Sequence, residues 1–357
     1  MSAVNWPQVR RILVVKLRSI GDTVLSTPSL IALRRHAPHA EIDILLEDWV
    51  APVLDGFSGV KVISMCAGTA ERVRVARELR RRRYDVAFNL HGGTTSTFLT
   101  WASGAEHRFG NADYQYSFLY NHLLSSPADF WGREKMHSAE QQLALIGHSG
   151  VPVDDLPKTR LTVTSDALRS IESRLSRSEI SNPRSEIALL HPGTAFFTKQ
   201  WPAENFGQIA EYLANKGFSV CAVGTKAESS IRSEVSSSAQ VPLTTFDDLS
   251  LPEITALASK ARIFIGNDSG IAHIAAAVQT PTVVIFGSSN RTHWRPWTDA
   301  PNEIVFNPFD CQPCPGYRCE AFGDSRCIHS VTVEQVTAAV ERVLSSASSL
   351  TPNPVKH

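Results

Sequence analysis

Short apolar runs recur along the chain, each followed by a polar or glycine-bearing turn and then by a stretch of helical periodicity. In the first half Arg11 to Leu17, Glu41 to Leu46, Val60 to Ile63 and Asp85 to Leu90 read as strands, and Leu161 to Val163 as a shorter one. In the second half the same reading applies to Ile187 to His191, Phe218 to Val223, Ile263 to Ile265 and Thr282 to Phe286. Helical spacing covers Ala70 to Arg83, Met136 to His148, Ser165 to Arg177, Pro202 to Lys216, Ile254 to Lys260, Ile271 to Val278 and Val331 to Leu344. Strands alternating with helices predict an α/β protein built on parallel sheets. Ser181-Asn182-Pro183-Arg184-Ser185 reads as a linker, which gives a first domain over 1–180 and a second over 186–330. A last helix over 331–346 and a flexible tail over 347–357 follow. Residues 109–131 carry Phe109, Tyr114, Tyr116, Phe118, Tyr120, Phe130 and Trp131 without clear periodicity. They read as an irregular segment whose rings either pack locally or meet a lipid.

Composition narrows the class. The chain has 357 residues, enough for two cores, and 43% hydrophobic with 20% charged residues is the balance of a soluble globular protein. A net charge of zero gives no overall field that would draw nucleic acid. No apolar run approaches the roughly 18 residues of a membrane span, and Lys16 cuts short the only N-terminal run that would resemble a secretory segment, so a cytoplasmic location is expected. Cysteines there are reduced or metal-bound. Cys311, Cys314, Cys319 and Cys327 form C-x2-C-x4-C-x7-C, which reads as a structural zinc site, less readily as an iron–sulfur site, or as ordinary loop thiols.

Candidate chemistry gathers where strands end. Gly266-Asn267-Asp268-Ser269-Gly270 joins an apolar strand to a small-residue helix, and a helix N-terminus with unpaired N–H groups suits a phosphate. The plainer reading makes Asp268 or Ser269 a helix cap. Gly21 and Asp22 stand at the first strand-to-helix turn, where Asp22 is a base or a cap, and His91-Gly92-Gly93 follows another strand at the same sheet edge. Pro28 either kinks the first helix or opens a second one capped by Thr27. Arg80 to Arg83 end a helix, as a solvated basic terminus or as a surface for anionic lipid headgroups or glycan.

These segments resemble the bacterial ADP-heptose:lipopolysaccharide heptosyltransferases over Val14 to Val340. Lys16-Leu-Arg-Ser-Ile-Gly-Asp22 is similar to that family's opening, His191-Pro-Gly-Thr-Ala-Phe-Phe-Thr-Lys199-Gln-Trp-Pro202 to its second loop, and Gly266-Asn-Asp-Ser-Gly-Ile-Ala-His273 with Thr-Pro-Thr-Val-Val-Ile-Phe-Gly287 to its donor segment. The resemblance implies a GT-B fold, two Rossmann-like domains facing across a cleft, with the last helix crossing back to the first domain. It implies inverting transfer of heptose from ADP-heptose to a Kdo or heptose of the lipopolysaccharide core, carried on lipid A, at the cytoplasmic face of a Gram-negative inner membrane. Asp22 is then the general base and Lys199 the group that meets the leaving diphosphate. Thr194, Glu228, Asp268, Ser269, Gly270, Ile271 and His273 hold the donor, with Glu228 on the ribose, while Arg18, Ser19, Gly21 and His91 stand on the acceptor side. No metal is needed for catalysis, and a zinc at the four cysteines is structural and apart from the reaction. The rivals are a GT-B sugar-nucleotide epimerase, a transferase for another nucleotide sugar and a non-catalytic paralogue. A dehydrogenase fits less well, because no Gly-x-Gly-x-x-Gly follows a strand.

Overall fold

The structure, a computed structural model, describes residues 3–178, 185–314 and 316–350. The chain divides into two units, Met1–Thr162 and Val163–His357. The first runs β1 (Arg11–Val15), α1 (Ile20–Val24), α2 (Thr27–His36), β2 (Glu41–Glu47), β3 (Lys61–Met65), α3 (Thr69–Arg82), β4 (Val86–Asn89), α4 (Thr94–Ala102), β5 (His107–Asn111), β6 (His122–Leu124), α5 (Pro127–Trp131) and α6 (Ser138–Gly147). The second runs α7 (Ser165–Arg177), β7 (Ile187–His191), α8 (Ala203–Asn215), β8 (Ser219–Val223), α9 (Ser229–Ser238), β9 (Thr244–Phe246), α10 (Leu251–Lys260), β10 (Ala261–Asn267), α11 (Gly270–Ala277), β11 (Thr282–Ile285), α12 (Arg291–Trp294), β12 (Asn302–Val305), α13 (Arg326–His329) and α14 (Val333–Leu350).

Among the described residues each unit holds one six-stranded sheet, ordered β3-β2-β1-β4-β5-β6 and β12-β11-β10-β7-β8-β9. Every recorded pairing is parallel. Both orders reverse direction at a central pair, β1 beside β4 and β7 beside β10. A crevice opens outside the carboxyl ends of such a pair, because the connections leave it toward opposite sides. The inner strands are continuous apolar runs for the reason parallel sheets require it: helices cover both faces. Ile12 to Val15 and Ile263 to Ile265 are completely buried. No described helix is long and apolar enough to cross a membrane.

Several sequence expectations change here. Pro28 sits in the first turn of a separate α2, where its missing N–H leaves no bond unmade, and Ser26, not Thr27, stands at the cap position. Leu161 to Val163 forms no strand. Residues 109–131 are more ordered than their pattern suggests, for they contribute β5, β6 and α5. Phe109 is buried and stacks on Phe88, whereas Phe118 is exposed.

The domain limits also move. α7 belongs to the second unit, because Ser170 and Arg174 donate to Glu253 of α10 at 2.7 and 3.1 Å and Arg174 pairs with Asp248. The division therefore falls at 162/163 and not near 180, while 181–184 of the expected linker over 181–185 lie outside the described residues. α14 packs on the second core: Val336, Ala339, Val340 and Val343 recur on one face and close it. It extends to Leu350, past the expected start of the tail, and 351–357 lie outside the described residues.

Trp201 anchors this second core. It is completely buried, its indole N–H donates to the Val331 carbonyl at 2.8 Å, and its ring meets Phe206 edge-on at 5.1 Å. Trp201→Ala leaves a large cavity and an unmet carbonyl, so stability should fall by roughly 3–5 kcal/mol. Urea unfolding followed by circular dichroism checks this; a loss below about 1 kcal/mol would show that the core collapses around the gap.

Candidate active-site loops

The base and acceptor-side candidates of the first unit, Arg18, Ser19, Gly21, Asp22 and His91, stand beyond the carboxyl ends of β1 and β4. Lys16 follows the last residue of β1 and is 5% exposed. Its ammonium donates to Asp22 Oδ1 and to the Leu90 carbonyl, both at 3.0 Å. The Asp22 carboxylate is thus held by a buried cation while it keeps a partly open face. Its amide points at Ser19 Oγ at 3.5 Å, so the side-chain cap of this short helix is Ser19 and Asp22 lies within its first turn. Ser19 adopts φ 75°, a backbone region a serine enters at a cost of order 1–3 kcal/mol. Such strain gathers where a loop is shaped for a task and not for its own stability.

The β4 end is organised by Asn89, which is completely buried. Its Oδ1 accepts from the His91 and Gly92 amides at 2.9 and 3.1 Å, while its Nδ2 donates to Ser96 and Tyr120. Gly92 is at φ +83°, and a Cβ there would come within 2.6 Å of the Tyr114 ring. His91 is held to about 4 by burial, then by the nearby Lys16 and Arg18 cations, so it is neutral near pH 7. Gly21 is buried within α1 and Arg18 is exposed.

On the second unit the ends of β7, β8 and β10 carry the remaining candidates. Asn267 closes β10 and is completely buried; it donates to the Pro192 carbonyl at 2.7 Å and accepts from the Trp201 amide at 3.1 Å. It thereby fastens the loop that bears Thr194 and Lys199. His191 Nδ1 lies 3.1 Å from Ser269 Oγ, and burial holds its ring at about 4. Lys199 donates to Asp268 Oδ2 at 2.8 Å, and Ser289 donates to the same oxygen at 2.5 Å. An ammonium has three donors, so this bond leaves two for a ligand.

The capping alternative for Asp268 and Ser269 is not what forms. α11 starts at Gly270 with Ser269 at its cap position, yet no side chain bonds to the helix start. Ser269 turns to His191 and Asp268 to Lys199. Gly270 and Ile271 therefore present the amide end of a helix without a side-chain acceptor over it, an arrangement that favours an anion. His273 is buried one turn further along. Glu228 is more constrained than a free ribose ligand: its Oε2 accepts from the Thr225 amide and hydroxyl at 2.7 and 3.0 Å in a capping box. Its other oxygen lies against Gly193, where an added Cβ would come within 1.9 Å, so Glu228 does adjoin the β7 loop.

The cysteines are closer to these loops than their sequence position implies. Cys311, Cys314, Cys319 and Cys327 line one cavity of about 10 Å³ with Thr198 and Ser288, the neighbours of Lys199 and Ser289. Thr198 Oγ1 donates to the Gly316 carbonyl, and the Cys314 amide donates to the Ser288 carbonyl at 3.0 Å. A zinc there would not be remote from the donor loop. The thiols are free and suit zinc in kind and number. Yet among the described residues no three His, Cys, Asp or Glu side chains converge as a ligand set.

Sequence reasoning left Lys16, Asn89, His191, Asn267 and Ser289 without roles. Four of them share a signal: a polar residue at or just past the end of an apolar strand.

Residues 72–322 match glycosyltransferase family 9 (heptosyltransferase). The chain is 26% identical to lipopolysaccharide heptosyltransferase 3 of Escherichia coli over 353 residues, covering 93% of this chain and 98% of that protein. The fold is that of the E. coli ADP-heptose lps heptosyltransferase II, with a TM-score of 0.79 at 21% identity over 95% of this chain and 99% of that one. E. coli heptosyltransferase WaaC with ADP gives a TM-score of 0.70 at 18% identity, covering 93% and 99%. Two units with this strand order, the two central strand-end crevices and a match over most of the length converge on one assignment: the chain belongs to glycosyltransferase family 9, the heptosyltransferases.

Proposed function

We propose that this enzyme transfers heptose from ADP-heptose to a Kdo or heptose of the lipopolysaccharide inner core, with inversion at the anomeric carbon. The observation that carries the reading is the bonded set Lys199–Asp268–Ser289 beside the uncapped start of α11, a cationic and amide-rich place for a diphosphate. The names of the relatives supply the sugar and the acceptor class: lipopolysaccharide heptosyltransferase 3, and a structure of that family holding ADP.

In this reading Asp22 accepts the proton of the acceptor hydroxyl as its oxygen bonds to the anomeric carbon. The bond from that carbon to the diphosphate oxygen breaks, and its electron pair leaves with ADP. Lys199 and the Gly270–Ile271 amides meet the charge that develops on the departing phosphate. Thr194, Ser269 and His273 border the phosphates or sugar, Glu228 the ribose, and Arg18, Ser19, Gly21 and His91 the acceptor. The lipid-borne acceptor places the reaction at the cytoplasmic face of the inner membrane.

Donor screening by calorimetry with ADP-, UDP- and GDP-sugars tests the assignment. Tightest binding of an ADP-sugar is expected; preference for a UDP-sugar would reassign the donor.

Asp22→Asn keeps an acceptor for the buried Lys16 ammonium but cannot take a proton. Turnover should fall about a hundredfold or more, with ADP affinity and thermal stability close to wild type. Near-normal transfer would reduce Asp22 to a structural partner of Lys16. Lys199→Ala should weaken ADP binding and lower turnover further than binding, because the charge it meets is greatest at the transition state. Steady-state kinetics beside calorimetry separate the two effects; equal losses in both would make Lys199 a simple ground-state contact.

Because Lys199 supplies the positive charge, transfer should survive EDTA in protein that stays folded. Loss of turnover on chelation, restored by a metal, would bring a metal into the reaction. Elemental analysis of the same sample decides the cysteine cavity: about one zinc per chain supports a structural site, and four freely titrating thiols without metal exclude it.

A further inference from the structure

Away from the strand-end loops, the first unit carries a groove of about 530 Å³ between α3 and α4. Val75 and Leu79 of α3 and Leu99 of α4 turn inward to the core, so the groove is formed by the faces those helices keep outside. Its walls combine two kinds of side chain. Val73, Phe98 and Trp101 are 40%, 44% and 48% exposed, and the two rings sit 5.9 Å apart. Outside the groove's lining, the turn at Ser117–Leu119 contacts α4 and carries Phe118 at 77% exposure. Arg77, Arg80 and Arg108 supply the charge.

That charge is not neutralised locally. Glu71 and Glu78, the acids of α3, are taken up by Arg74 and Arg82, and Arg82 also pairs with Asp43. Glu106, before β5, lies 4.0 Å from His107. Among the described residues none of Arg77, Arg80 and Arg108 has a carboxylate partner. Arg108 is braced in place by the Leu119 and Ala105 carbonyls at 2.9 and 2.6 Å. Burial and the adjacent Arg80 cation both weigh against its charge, so an anion placed there relieves two guanidiniums at once. Gly104, at φ +68°, lets Arg80 lie directly on the backbone, where any Cβ would collide with the guanidinium. Arg72, Arg81 and Arg83 are exposed on the same helix or at its end.

We propose that the α3–α4 face is a membrane-docking surface: Phe98, Trp101, Val73 and Phe118 enter the headgroup boundary while Arg77, Arg80 and Arg108 bind anionic phospholipid phosphates. Charge complementarity selects this occupant. Rings with one wet edge settle at the headgroup level, unpaired arginines are drawn to the negative surface, and neither force is strong enough alone for lasting attachment. The inference rests on the lipid-borne acceptor proposed above and names where that surface meets the protein. A soluble anionic glycan is the competing occupant: its sugars can stack on Phe98 and Trp101 inside the groove, but they leave Phe118, exposed outside the groove's lining, without a partner.

Vesicle co-sedimentation of the full-length protein tests it, with phosphatidylcholine alone and with phosphatidylcholine mixed with phosphatidylglycerol. Wild-type protein should bind only the anionic vesicles, and less as salt rises. Arg77→Gln with Arg80→Gln should lower the partition at least about tenfold, and Phe98→Ala with Trp101→Ala should do the same at low salt. All four side chains are exposed, so circular dichroism should be unchanged. Trp49→Ala, an exposed tryptophan outside the groove, should bind as wild type. Transfer to a water-soluble truncated acceptor should persist in every variant, which separates failure of the docking surface from failure of the transferase reading. Absence of wild-type binding to anionic vesicles would overturn the proposal. So would equal binding by the groove variants, loss in Trp49→Ala as large as in Trp101→Ala, or protection of the groove by a soluble anionic oligosaccharide in place of vesicles.

Discussion

Each unit depends on polar side chains buried at the ends of its two central strands. A parallel sheet covered on both faces leaves no solvent for the chain that emerges from it, so the first loop atoms must find partners inside the protein. Lys16 bonds the carbonyl of Leu90, just past β4; Asn267, at the end of β10, bonds the carbonyl of Pro192, just past β7. Both ties cross the point where the strand order reverses. Asn89 gathers the amides of its own loop, and His191 reaches Ser269. Removing any of these would leave a buried group without its partner, at a cost of about 1–3 kcal/mol, more for the ammonium. The loops around Asp22 and Lys199 are therefore fixed by the same bonds that complete the sheets.

That constraint explains what the sequence made legible. The strands at the two central pairs, with β2, β8 and β11 beside them, were clear because apolar runs and turn residues agree there; the inner strand β5, which opens on His107 and Arg108, was not. Asp22, Lys199 and the Asp268–Gly270 turn stood out through spacing and resemblance. Asn89 and Asn267 did not, since a polar residue after an apolar run looks like the start of a loop and carries no sign of complete burial. The edge strands β6, β9 and β12 were missed for another reason: three or four residues each, partly exposed, they lack any periodicity of their own. α7 was misplaced because nothing in its own sequence says which core its apolar face meets; Glu253, nearly eighty residues later, decides it.

The loop that bears Lys199 is held from behind as well. Trp201 is tied into the second core and bonds Asn267, which fixes the chain after the lysine. Thr198 is tied to Gly316 and lies 3.1 Å from Ser288, which fixes the chain before it. The cysteine-bearing loop thus acts as part of the lysine's support, whatever occupies the cavity. A substitution among Cys311, Cys314 or Cys319 touches Lys199 through one intervening residue, so a kinetic effect there is no evidence that a thiol enters the chemistry.

The pairing of Asp22 with Lys16 sets a direction in the first unit. In the reading proposed above, a base beside a buried ammonium has its carboxylate fixed in place and its charge balanced. Two features keep room for the acceptor. The ammonium divides its donors between Asp22 and the Leu90 carbonyl, so it is not committed to the carboxylate alone. The Asp22 side chain is also partly open, which in that reading lets an acceptor hydroxyl approach it. Orientation is the benefit the proposed base draws from this bond. His91, kept neutral by burial and by the nearby Lys16 and Arg18 cations, adds no further positive charge beside Asp22.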